Sequence, residues 1–155
     1  MRKKRAKKRI LLPLKKHQIL KYDPNGILLG QTNTIGSQSG YSNVLDIDEN
    51  DNIFIVTSNN SQMILRKYDN NLVLIWEKTA IANNNPPTNS ILFNPSLCIN
   101  DSNQVIVSGM FSGIADFDGN IITSIGGTNA RNNFFVKYDA NGNLIWINSY
   151  SSSGI

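Results

Sequence analysis

Short apolar stretches alternate with polar, turn-forming clusters along most of this chain. Asn52–Thr57 and Gln104–Ser108 are brief, β-branched and bounded by turn residues, the pattern of strands. Met63, Ile64 and Leu65 form another apolar run, as do Phe134, Phe135 and Val136. No window carries a helical period. The spacing predicts about twelve short strands in an antiparallel, all-β meander.

Two elements recur. The first is Lys21-Tyr22-Asp23-Pro24-Asn25-Gly26, repeated as Lys67-Tyr68-Asp69-Asn70-Asn71-Leu72 and as Lys137-Tyr138-Asp139-Ala140-Asn141-Gly142. Each copy runs on into a second apolar stretch. Trp76 and Trp146 stand eight residues after their tyrosines, and Gly30 holds that place in the first copy. The second element is a strand, a polar turn and a strand, seen in Val44–Val56 and again in Leu97–Gly109. Asp and Asn tolerate the left-handed backbone that tight hairpins need. Four-stranded sheets repeated every several tens of residues are the sequence mark of a β-propeller. The spacing is uneven: 46 residues separate Tyr22 from Tyr68, and 70 separate Tyr68 from Tyr138. The longer interval holds a loop by composition at Ala82–Ser90 and a further strand pair around Gly113–Ser124.

The order Gly109–Asn120, then Ser124-Ile125-Gly126-Gly127, then Asn133–Trp146 resembles one full repeat of the SBBP (seven-bladed β-propeller) family. The likeness is strongest over residues 97–150, weaker over 17–78, and leaves residues 1–16 uncovered. It implies a partial propeller of about two and a half to three four-stranded blades. It also implies a binding or scaffolding role, because propellers commonly bind proteins or glycans. Members are commonly exported, so the likeness implies an exported or cell-surface location, although no signal peptide is readable. An open propeller would expose strand edges that invite another chain. Self-association, or docking into a larger complex, is the expected partnership.

Charge divides the chain into residues 1–16, a basic and disordered tail, and residues 17–155, the repeat region. The tail carries Arg2, Lys3, Lys4, Arg5, Lys7, Lys8, Arg9, Lys15 and Lys16 and no acid. The rest keeps six basic residues against eleven acidic, a net of −5. The overall +4 therefore belongs to the tail. Such a run attracts nucleic acid or another polyanion by counterion release, which makes a tethered accessory protein the alternative role. The tail has no aromatic residues for base stacking. Its apolar stretch Ile10–Leu14 is too short for the roughly 7–15 residues of a signal core. No apolar run approaches the roughly 18 residues of a membrane span.

Candidate chemistry is sparse. His17 and Cys98 are the single histidine and cysteine, far apart in sequence, which offers no metal cluster and no nucleophile–base pair. Phosphate-cradling glycine motifs are absent. No catalytic residue, cofactor or small-molecule substrate is therefore expected. Cys98, within Ser96-Leu97-Cys98-Ile99, reads as a buried strand residue. Asp46, Asp48, Asn50 and Asn52 imitate a calcium loop, but Asp51 and Thr57 stand where that loop needs Gly and Glu. A hairpin turn is the better reading, as it is for Asp116, Asp118 and Gly119. Tyr22, Tyr68, Trp76, Tyr138 and Trp146 recur at matching repeat positions, so packing between blades is their expected work.

Overall fold

A computed structural model describes residues 9–11, 18–33, 42–58, 61–83, 91–126 and 130–151. The regular structure among them is entirely β, and the chain divides into two units, residues 1–38 and 39–155. The first unit is a three-stranded antiparallel sheet of β1 (Arg9–Leu11), β2 (Gln18–Tyr22) and β3 (Leu28–Asn33), in that order. Its first strand lies inside the basic segment, with Arg9 opposite Tyr22. The other eight cations of that segment, and His17, fall outside the described residues.

The second unit holds β4 (Ser42–Ile47), β5 (Ile53–Ser58), β6 (Gln62–Tyr68), β7 (Leu74–Asn83), β8 (Ile91–Ile99), β9 (Val105–Ser112), β10 (Ile114–Phe117), β11 (Asn120–Thr123), β12 (Asn132–Tyr138) and β13 (Leu144–Ser151). Strands β4 to β7 form one antiparallel meander. Strands β8, β9, β12 and β13 form another, a four-stranded sheet. The β10–β11 hairpin, from the middle of the second repeat, joins the first sheet instead. It pairs Ile114–Phe117 with Asn83–Ala80 of β7 and widens that sheet to six strands. The chain changes sheets at Gly113, whose φ is +71°. Ser124 secures the crossing: its N–H donates to the Gly113 carbonyl (2.8 Å), and its Oγ accepts the Gly113 N–H (2.9 Å).

One turn design closes five hairpins, and the sequence dictates it locally. Asp23, Asp48, Asp69, Asn100 and Asp139 each open such a turn. The side-chain oxygen of each accepts the backbone N–H groups two and four residues on, at 2.8–3.1 Å. The fourth residue takes a left-handed backbone in every case: Gly26 (+86°), Asp51 (+63°), Leu72 (+67°), Asn103 (+57°) and Gly142 (+84°). Glycine, Asn and Asp suit that conformation. Leu72 does not, at a cost of about 1–2 kcal/mol. Its side chain is buried, which offsets that cost by about 1.5–3 kcal/mol.

Alternation along the strands builds the core between the two sheets of the second unit. Phe54, Val56, Met63, Leu65, Ala80 and Ala82 face inward from the first sheet. Leu92, Val105, Val107, Phe111, Phe134, Val136 and Tyr138 face inward from the second, and β10 adds Ala115 and Phe117. Cys98 corrects the sequence reading, for it is exposed. Its neighbours Leu97 and Ile99 pack against the core, so the two-residue period turns Cys98 to the opposite face of β8.

Candidate functional site

Where the two sheets of the second unit meet, Trp76 rests on the turn that opens at Asp139. Lys67 and Trp76 are direct cross-strand partners on β6 and β7. Trp76 Nε1 donates to the Ala140 carbonyl at 3.2 Å, and Lys67 Nζ donates to the same oxygen at 3.1 Å. The indole lies flat over Gly142, where an added Cβ would come within 2.9 Å of its Cδ2. Gly142 is therefore required twice, by its backbone angle and by the ring above it. Phe54 completes the clasp. Its ring meets Trp76 edge-on at 5.8 Å, and the Lys67 ammonium lies 5.0 Å from its centroid. Asp48 Oδ2 stands 3.9 Å from that ammonium.

Asp48 is thus spent on structure. It accepts from Asn50 N, Asn52 N and Asn52 Nδ2, as a hairpin turn requires, and it faces Lys67. Asp116 accepts the Gly119 N–H at 2.7 Å in the tight β10–β11 turn. Among the described residues, no three His, Cys, Asp or Glu side chains converge as metal ligands, and no helix is long and apolar enough to cross a membrane.

The second sheet repeats the clasp without its counterpart. Lys137 pairs with Trp146 in the register that joins Lys67 to Trp76. The face they share also carries Phe135 and Tyr150, whose rings meet edge-on at 5.9 Å. Phe135, Trp146 and Tyr150 are 40%, 36% and 57% exposed. At the matching positions of the first sheet, Leu65, Trp76 and Ala80 are covered wholly or in part. Of the five residues expected to pack repeats together, Tyr68 and Tyr138 are buried, and Tyr22 and Trp76 are half-buried. Trp146 is exposed.

Two cations are buried, and only Lys67, in its recurring Lys-Tyr-Asp element, is marked in the sequence. Arg66 sits beneath its cross-strand partner Glu77, with Nε 2.6 Å from Oε2, and Lys67 belongs to the clasp. Their burial follows from register, which single residues do not announce.

Burial pushes the Tyr138 phenol far above its ordinary value, with the Asp118 charge adding to the effect. The unfolded chain ionises this phenol near pH 10, while the folded one holds it neutral. The stabilisation is therefore complete below about pH 10 and is lost as pH climbs beyond it. Tyr138→Phe keeps the ring and removes the titration. Urea unfolding is expected to show the wild type losing stability above pH 10 more steeply than this variant. Parallel curves would discount the burial argument. Asp139 moves the other way. Hydrogen bonds from the Asn143 side chain and the turn backbone hold its carboxyl below the usual range. Their contribution is present above about pH 4 and fades as pH falls through the lowered value.

No family model matches the chain, and no curated protein does either. Among solved structures it is similar to that of the Dos1 propeller, at 10% identity and a TM-score of 0.40. The match covers 87% of this chain and 43% of that one, so the chain spans less than half the length of that structure.

Proposed function

We propose that this protein is a non-enzymatic interaction module, built from propeller-type repeats of the SBBP kind, that assembles with itself or within a larger complex. The observation that carries this reading is the open face of the four-stranded sheet. A face of the same register on the neighbouring sheet is packed into the core, while this one presents Phe135, Trp146 and Tyr150 to solvent. Clustered exposed aromatics are what a protein interface draws upon. The polar residues between them suit a surface that meets water before it is covered: Ser108 stands where Val56 does, and Asn133 where Met63 does.

Light scattering on the full chain across a wide concentration range tests the reading. The mass is expected to rise above the 17.2 kDa of one chain as concentration increases. Phe135→Ser with Tyr150→Ser is expected to hold the mass at one chain while far-UV circular dichroism is unchanged. An intact chain that stays at 17.2 kDa throughout would count against self-assembly.

A further inference from the structure

Matching the turns to the tryptophans leaves one of each unaccounted for. Both described turns with glycine at the fourth position can take an indole, because only glycine leaves room there. Gly142 has its indole, Trp76. Gly26 has the same left-handed backbone in the same hydrogen-bonded turn, and an added Cβ there would meet nothing within 4 Å among the described residues. The other three turns of this design carry a side chain at that position, on Asp51, Leu72 and Asn103, where Gly142 has none. Gly119 also has open space, but it belongs to a two-residue turn of different geometry. Conversely, Trp146 is the exposed tryptophan, held beside Lys137 as Trp76 is held beside Lys67.

We infer that Trp146 of one copy docks on the Asp23–Gly26 turn of a second copy, repeating between molecules the clasp that Trp76 makes inside one. In this contact the indole lies over Gly26. Its Nε1 and the Lys137 ammonium donate to the Pro24 carbonyl, which stands where Ala140 does. Proline loses only its N–H, so that acceptor is intact. Lys137 is well placed to give its charge away. Asn100 occupies the position that Asp48 holds in the first sheet, so the carboxylate that faces Lys67 there is an amide here. Donor and seat are different elements of the chain, so each copy offers one of each and copies can join head to tail. This proposal deepens the self-assembly reading and rests on it.

Two single variants and their mixture provide the test. Trp146→Ala removes the ring. Gly26→Leu fills the seat, and the turn design accepts leucine there because Leu72 already occupies that position at φ +67°. Each variant alone is expected to scatter as a single chain with circular dichroism like the intact protein, Gly26→Leu melting lower because an exposed leucine does not recover the cost of its left-handed backbone. Trp146→Ala still has its seat and Gly26→Leu still has its ring. Mixed in equal amounts, they can form one contact, and the expected product is a pair of chains that grows no further. Variants that associate as strongly as the intact chain overturn this contact while leaving self-assembly through another surface. A mixture that stays at one chain also overturns it. An intact chain that never associates overturns both this contact and self-assembly.

Discussion

Phe134→Ala is expected to lower stability by about 3–5 kcal/mol, the range for deleting a fully enclosed aromatic ring. Phe134 is 1% exposed. Its ring stacks at a tilt on Phe117, 5.0 Å away, and meets Phe111 edge-on at 6.4 Å. Phe111 and Phe134 belong to the four-stranded sheet, whereas Phe117 belongs to the hairpin that widens the other sheet. The cavity left by alanine would lie between the two sheets, where neither can collapse into it without parting from its own core. The lost ring contacts add to the transfer term. In a chain of this size the melting midpoint is expected to fall by about 10 °C or more. Phe134→Leu, which keeps most of the volume, is expected to recover more than half of that. Urea unfolding followed by circular dichroism checks both values. A loss under about 1 kcal/mol for alanine would mean that the ring does not hold the sheets together.

Asp48→Ala is expected to cost about 3–5 kcal/mol, for a different reason. The Asp48 side chain has no exposed surface, and Lys67 opposite it is almost as deeply enclosed. Alanine removes the acceptor of three hydrogen bonds and leaves the ammonium without its carboxylate. A buried charge stripped of its partner is the costly part. Asp48→Asn separates the two effects, since Asn100 shows that asparagine serves this turn well. The asparagine variant is expected to keep the turn and lose only the charge, so its loss should fall clearly below that of alanine. Adding Lys67→Met to Asp48→Asn removes the stranded charge and is expected to restore part of the stability. Equal losses for the alanine and asparagine variants would place the whole effect in the ion pair.

The turns were the most legible part of this chain because their chemistry is local. An Asp or Asn followed by polar residues and a left-handed position specifies its own hydrogen bonds, and the strands follow from the runs between such turns. What could not be read locally depends on neighbours far away in sequence. The strand pair around Gly113–Ser124 was legible, yet its attachment to β7 was not, since nothing in Ile114–Phe117 names Ala80–Asn83 as its partner. Cys98 was misplaced because an unbroken apolar run conceals the two-residue period that turns it outward. Trp76 and Trp146 are the sharpest case. They occupy the same place in the same motif, and only the sheet beyond them makes one an internal clasp and the other an open contact.

The β10–β11 hairpin has a consequence for how such a chain could be rearranged. Its residues are encoded within the second repeat, but its hydrogen bonds complete the sheet of the first. Sequence unit and hydrogen-bonded unit are therefore out of phase here, the six-stranded sheet holding two strands from the next stretch of chain. A cut at the repeat boundary would strip the outer edge from one sheet and leave a two-stranded flap on the other. A piece copied, transplanted or appended without an open seam would have to carry residues 114–123 along with the first sheet, so its end would overlap the second repeat rather than abut it.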